Sequence, residues 1–385
     1  MNEMKKYTVR EWTLAEFKAN RKAWTELLHS SNADPLFSSW EWQYSWWTEG
    51  SISNKKLQII AIYHLDELVA LAPLFTYKIR LKQLLPITIC QFIGCNYNLD
   101  NLCRSDNLDI IIKNNTHITK IYQQLLITIN KLTWYEFRVD GASRHSHIWK
   151  LSKFNKANTV IHIERKIYNY IVKINDDFHQ YTSNFKKKIR QKTILHRRFI
   201  ENNQPAEQLI TSKNSAHDMI TSISNDDYGN FFSELNRLKE IRWGSPVYED
   251  ERLNFQNTFI IYCQNSKYLK TTSTMIKIDG KNQSAFYSIQ ALEQNYFLQF
   301  AFNPDFNTKI SLGYIHLGLV IEQCYQNQVT QLQLLPGGGQ REGYKHHFAN
   351  QIQPQLTYRL KRGTWLSFFE LLLTKIILLR NNYRK

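Results

Sequence analysis

Two stretches of this chain repeat one layout, and a repeated layout restricts the fold more than composition does. LQIIAIY (57–63) reads as a strand, HLDE as a turn and LVALAPLF (68–75) as a second strand. Far downstream, STMIKI (273–278), a DGKN turn, QSAFYSI (283–289) and YFLQFAF (296–302) read the same way. β-Branched and aromatic residues between turn formers predict antiparallel hairpins. Each group is followed by a helical stretch and another strand. These are ITKIYQQLLITINKL then YEFRV (135–139), and LGYIHLGLVIEQCYQN (312–327) then VTQLQLL (329–335). QPQLTYRL (353–360) reads as the last strand. The expectation is an α/β (α+β) fold of two tandem halves, each a mixed, mostly antiparallel sheet flanked by helices. The halves are placed at 1–165 and 166–362, with an amphipathic C-terminal helix at 363–385. A length of 385 residues exceeds what one core usually accommodates, which agrees with two halves.

The formal net charge of +16 favours polyanionic partners: nucleic acid, anionic lipid or a phosphate-bearing cofactor. Cys90, Cys95, Cys103, Cys263 and Cys324 are odd in number and show no CxxC spacing. That argues against a disulfide framework and against a structural zinc site. MNEMKKYTVREW carries charge with no apolar stretch behind it, so no secretory signal is read and a cytoplasmic location is expected. No cysteine or carboxylate stands at ligand spacing from the histidine pairs His145/His147 and His346/His347, so no metal is expected. His145 and His147 are read as sharing a strand face.

LLPGGGQREGYK (334–345) places three consecutive glycines before a charged stretch. A phosphate-binding Walker loop needs Lys directly after the second framing glycine, then Ser or Thr. Gly338 and Gly343 have that spacing, but Tyr344 follows, Lys345 comes one place late and His346 replaces the hydroxyl. The dinucleotide pattern fails too, since Gly337 and Gly339 are followed by Glu342 where the third glycine belongs. Upstream, NPDFNTKIS (303–311) leads into the central helix, whose N-terminus falls near Ser311. Unpaired N–H groups there suit a phosphate, and Gly313 admits close approach. The alternative is that Ser311 only caps the helix.

The strand-helix-strand order resembles the GNAT acyltransferase superfamily, and within it the cellulose-biosynthesis-type (CelD-like) acetyltransferases, related to the Fem-type peptidoglycan aminoacyltransferases. The resemblance covers most of residues 12 to 360. It is carried by PLFSSWEWQYSWW (35–47), LVALAPLF, SNFKKKIRQK (183–192), MIKIDGKNQSAF (275–286), ISLG (310–313) and LLPGGGQREGYKHHF. It implies tandem GNAT-like halves with an acyl donor bound beside the helix after the central strand, hence at Ser311, Leu312 and Gly313. The chain departs from the pattern twice. NTKISLG offers one glycine where GNAT enzymes carry Q/R-x-x-G-x-G/A, and Gln333 stands where members of the branch often place an acid.

Tyr344 falls where the resemblance puts a proton-donating tyrosine; a packing tyrosine is the plain alternative. Lys345 reads as a contact to donor phosphate or acyl group, or as a solvated surface lysine. Gly337, Gly338 and Gly339 read as a site-lining turn that lets the backbone pass close to substrate. FKKKIRQKTILHRRF (185–199) holds seven Lys or Arg among residues 186 to 198. Phe185, Ile189 and Lys192 share a helical face, extended by Ile194 and Leu195. Lys186, Lys187 and Arg190 on the other side form a polyanion-binding surface or an ordinary solvated face. Trp40, Trp42, Trp46 and Trp47 read as core, with a sugar-stacking platform as the alternative. The tail is apolar at eleven of the sixteen residues Thr364 to Leu379, too short and interrupted to span a bilayer. It reads as a helix that lies on an anionic membrane surface or docks on its own domain.

Together these features give a cytoplasmic N- or O-acyltransferase, peripheral at the inner face of the membrane when the tail engages it. The resemblance, not the residue chemistry, implies its substrates: acetyl from acetyl-coenzyme A, or another acyl-coenzyme A, and an amine or hydroxyl of a sugar or cell-envelope precursor. Two rivals stand beside it. One is an aminoacyl-tRNA-dependent transferase acting on peptidoglycan precursor; the other is a catalytically silent adaptor of a polysaccharide synthase.

Overall fold

The computed structural model describes residues 7–81, 85–96, 99, 103–154, 159–175, 177–197, 220–224, 227–307, 309–327, 329–336 and 342–362. Gly337, Gly338, Gly339 and the tail 363–385 lie outside the described residues. In the first half β1 (Tyr7–Trp12) precedes three helices, α1 (Leu14–Ala19), α2 (Arg21–His29) and α3 (Trp40–Glu49). Then come β2 (Lys56–His64), β3 (Glu67–Leu81), β4 (Leu85–Phe92), β5 (Ile111–Ile112), α4 (Ile118–Lys131), β6 (Glu136–Ser143), α5 (His147–Phe154) and β7 (Thr159–Lys173).

The second half opens with α6 (Phe178–Ser183), α7 (Lys187–Arg190) and a π-helical turn at Gln191–Leu195. It continues through β8 (Ile220–Ser222), α8 (Tyr228–Trp243), α9 (Asp250–Gln264), β9 (Leu269–Thr271), β10 (Thr274–Ile278), β11 (Lys281–Ala291) and β12 (Gln294–Phe302). α10 (Leu312–Gln326), β13 (Gln331–Gln333), a 3₁₀ turn at Glu342–Tyr344, α11 (Lys345–Phe348) and β14 (Gln351–Arg362) complete the described chain.

All the described strands join one sheet of order β1-β2-β3-β4-β6-β14-β7-β13-β12-β11-β10-β8, with β5 beside β3 and β9 beside β11. The repeat is visible in its two parallel pairs, β4 with β6 and β12 with β13; the other described pairings are antiparallel. The predicted mixed, mostly antiparallel α/β architecture is therefore the one observed. The hairpins form where the turn formers stand. Asp279 and Gly280, both at positive φ (51° and 73°), make the tight turn between β10 and β11.

The final strands of the two halves are exchanged. β6 pairs with β14, not β7, and β13 pairs with β7, not β14. β7 and β14 then pair with each other from Gln351↔Ile171 to Arg362↔Thr159. The division at 165/166 thus runs through the interior of β7, where Arg165 faces Thr357.

The largest apolar cluster draws on both halves, from Trp12 and Trp24 to Tyr287, Tyr296 and Tyr358. Trp40, Trp42, Trp46 and Trp47 belong to it, as the core reading expects. Their indoles are anchored: Trp42 Nε1 donates to Ser105 Oγ (2.7 Å), Trp46 Nε1 to the Cys103 carbonyl (3.0 Å) and Trp40 Nε1 to the Phe17 carbonyl (2.8 Å). All five cysteines are buried free thiols.

Candidate active site

The parallel pair of the second half does not stay together. β12 and β13 match from Gln294↔Gln331 to Tyr296↔Gln333 and then part. β12 runs on to Phe302 beside β11, while Leu334 turns to β7 and donates its N–H to the Tyr170 carbonyl (2.8 Å). Just past the split β12 bulges, because Ser288 pairs with Phe297 and Tyr287 with Gln299, leaving Leu298 without a partner in the register. A bulge bends the strand and re-aims its groups. Beyond it the Phe300 N–H donates to the side-chain Oε1 of its own neighbour Gln299 (3.0 Å). A side chain thus stands in for the missing strand.

Above this opening lies a cavity of about 1240 Å³. Its floor is the parted segment Phe297–Phe300; its walls come from the C-terminal end of α8, the start of α10, Leu335–Pro336 and Tyr344–Lys345. The first half contributes Phe37, Trp42, Arg104 and Asp106.

Four of the predicted residues line this cavity together: Ser311, Gly313, Tyr344 and Lys345. Tyr344 is half-buried and packs on an apolar cluster around Phe348 and Leu334. Lys345 corrects the solvated-lysine reading, since it is 7% exposed. Its Nζ donates to the Leu335 carbonyl (3.0 Å) and sits 5.5 Å from the centre of the Phe297 ring. Leu312 does not line the cavity. It is buried with Ile315 and Leu319, on the face of α10 turned to the sheet.

The helix start is less open than the bare-amide expectation requires. The Ser311 N–H donates to His196 Nδ1 (3.2 Å), and the serine side chain makes no capping bond. Tyr314 and Ile315 amides close on the Ser311 carbonyl, so the amides of Leu312 and Gly313 are those left at the helix start. Gly313 also has a packing reason: a Cβ there would lie 2.8 Å from Phe302 Cε1.

Lys186, Lys187 and Arg190 are exposed and away from the cavity lining. Arg190 folds back, its Nη2 donating to the Ser183 carbonyl (2.6 Å). The buried stripe is Phe185, Ile189 and Thr193, where Lys192 was expected; Leu195 is 52% exposed. The π-helical turn at 191–195 is the cause, because it adds a residue per turn and rotates everything after Arg190. Lys192 thereby comes over the Tyr314 ring (4.9 Å), and His196 reaches Ser311. His145 and His147 do not share a strand face. His145 lies in a turn, and His147 opens α5 with its N–H on Asp109 Oδ2 (2.7 Å).

Several charged groups of the cavity carried no sequence signal. Arg104 Nη2 and Asp106 Oδ1 pair at 2.8 Å, and Asp140 behind them binds Arg165 at 3.0 Å. Burial raises the Asp106 carboxyl, while Arg104 and, more weakly, Lys345 pull it back. On the opposite wall burial lowers the Lys239 ammonium to about 8, with Arg242 and Lys345 adding repulsion.

No family model and no curated protein sequence matches the chain. Solved structures do. FemX aligns with a TM-score of 0.60 at 10% identity, covering 91% of this chain and 96% of FemX. A conserved protein of unknown function from Bacteroides thetaiotaomicron aligns at 0.52 and 12% identity, covering 92% and 99%. A tandem GNAT protein from the clavulanic acid biosynthesis pathway, at 0.44 and 7% identity over 93% and 99%, is too loose a likeness to argue from. The chain therefore has the fold that FemX shows. No helix among the described residues is long and apolar enough to cross a membrane.

Proposed function

We propose that this chain is an acyltransferase that moves an acyl group, acetyl from acetyl-coenzyme A, to an amine or hydroxyl of a sugar or cell-envelope precursor, as the CelD-like resemblance suggests. The observation that carries the reading is the parting of β12 and β13. It opens a strand edge onto a cavity that also holds Tyr344, Lys345 and the start of α10. Acyl transfer needs the carbonyl polarised, the nucleophile held beside it and a proton delivered to the leaving atom. A carbonyl oxygen that displaces the Gln299 side chain takes over the Phe300 N–H. Lys345 supplies positive charge from a buried position beside Phe297. Tyr344 gives its phenolic proton to the departing sulfur or oxygen as the new amide or ester forms, and the proton lost by the acceptor's amine or hydroxyl passes through solvent to restore the phenol.

The test is calorimetric titration with acyl-coenzyme A up to millimolar ligand, then thioester cleavage with candidate acceptors. Tyr344→Phe is expected to lower turnover by about a hundredfold at unchanged donor affinity. Absence of binding to every acyl-coenzyme A would remove the donor from the reading.

One observation favours the aminoacyl-tRNA alternative: His196 already holds the Ser311 amide, and Lys186, Lys187 and Lys188 are exposed. Charged tRNA bound with a steep salt dependence would select it. The proposal includes contact of residues 363–385 with an anionic membrane, which flotation with anionic vesicles measures.

A further inference from the structure

One carboxylate gathers the cavity's first-half wall and its floor. Asp34 stands in the turn that leads into α3, and its Oδ1 accepts the amides of Leu36 (3.0 Å) and Phe37 (2.8 Å). Its Oδ2 accepts from Asn107 Nδ2 (3.0 Å) and from the Tyr296 hydroxyl (3.2 Å). These donors belong to separate pieces of the cavity. Phe37 lines it, and Asn107 follows the lining residue Asp106. Tyr296 is the last residue of β12 paired with β13 before Phe297 enters the floor. The Phe37 ring stands edge-on to Tyr296 (5.6 Å) and to Trp42 (5.0 Å), so the same contact sets the aromatic corner of the wall. Asn107, at a positive φ of 55°, also accepts from Gln355 Nε2 of β14. Four donors fill the acceptor sites of a carboxylate, and no cation among the described residues pairs with it. Burial pushes this carboxyl up to about 6 although all four bonds pull it down, so the ionised form is kept at a cost to stability. An asparagine here would turn an NH2 group on two of the four donors, whichever way it lay.

We propose that Asp34 is a positioning residue: it clasps Phe37 and the 103–107 stretch of the first half to the β12 floor, and so fixes the width of the cavity. That the gap holds an acceptor rests on the transferase reading; the clasp itself does not.

The experiment reads the clasp through Cys103, a thiol that lines the cavity and is 9% exposed. The full chain and its Asp34→Asn and Tyr296→Phe variants are treated with 4,4′-dithiodipyridine, and the labelled thiols are mapped by peptide mass. Asp34→Asn should speed the labelling of Cys103 by about tenfold or more, the factor for one lost hydrogen bond to a charged group. Tyr296→Phe removes one bond and keeps the ring, and should give about threefold or more. The double variant should stay close to Asp34→Asn alone, because the two changes break the same bond. Cys263 and Cys324, buried away from the cavity lining, should keep their wild-type rates. Unchanged labelling of Cys103 overturns the proposal. So does acceleration of all the thiols together, which would mean that Asp34 only stabilises the fold. With an acceptor that is turned over, Asp34→Asn should raise its KM about threefold or more at a kcat within about twofold, and an unchanged KM overturns the positioning role. If no candidate acceptor is acylated, the transferase reading falls, and the thiol rates alone decide the clasp.

Discussion

His316 is fully buried in α10, with Nδ1 2.7 Å from Ser284 Oγ and Nε2 2.9 Å from Thr274 Oγ1. Burial lowers its imidazole to about 3, against an ordinary value of 6.5. The folded chain therefore refuses a proton that the unfolded chain accepts. The neutral imidazole stabilises the fold fully above pH 6.5, and that stability is lost as pH falls toward 3, at about 1.4 kcal/mol per pH unit for one group. His316→Asn should remove this part of the slope between pH 6 and 4 in denaturant titrations. His147, lowered by burial to about 4, continues to supply its own part. A variant with the wild-type slope would show that His316 takes up its proton in the folded state. The same scale separates Lys345 from Ser311. Both were picked from sequence, yet one is a buried cation in the wall and the other spends its amide on His196.

Among the elements, α10 and the π-helical turn meet at Gly318. A Cβ at that position would sit inside van der Waals contact with Thr193 Cγ2. Gly318→Ala should destabilise the fold by about 1–3 kcal/mol, the usual cost of overpacking. Thr193→Ser removes the methyl and keeps the hydroxyl that donates to the Ile189 carbonyl (2.9 Å), so it should restore most of the loss. Thermal melts of both single variants and the double variant measure this; purely additive effects would deny the contact. The π-helical turn also marks where sequence reading stopped. The hairpins and α10 were legible, since period-two runs between turn formers and a long apolar helical stretch leave little choice of element. A wheel drawn at 3.6 residues per turn cannot find a turn with an extra residue, so Lys192 was put where Thr193 is buried. Of the cavity, Ser311, Gly313, Tyr344 and Lys345 were legible because glycine and helix-start signals are local. Arg104, Asp106, Lys239 and Arg242 were not. Their segments carry no local signature, and only the tertiary fold brings the end of α8 and the stretch around Arg104 and Asp106 to one cavity.

For the molecule as a whole the exchange of final strands decides how it can come apart. Were each half to pair its own last strand, the chain could be cut near residue 165 into two separately stable units. Instead β6 is completed by β14 from the other half, and β13 by β7. The register between β7 and β14 spans Thr159 to Ile171, and buried Tyr358 contacts Trp149 of the first half at 5.1 Å between ring centres. Asp140 adds to the same seam by accepting from Arg165 (3.0 Å) and Thr357 (2.5 Å). Unfolding one half would strip the strand that completes the other, exposing the unpaired edge of β6 or β13. The two halves should therefore melt as one cooperative unit, with calorimetric and van't Hoff enthalpies in agreement. The fragment 1–165, which lacks β14 and ends inside β7, should fail to give a folded monomer. Two resolved calorimetric transitions, or a soluble fragment with a sharp melt of its own, would mean that the exchanged strands do not couple the halves. The site depends on that coupling, because Trp42, Arg104 and Asp106 of the first half wall a cavity whose floor belongs to the second.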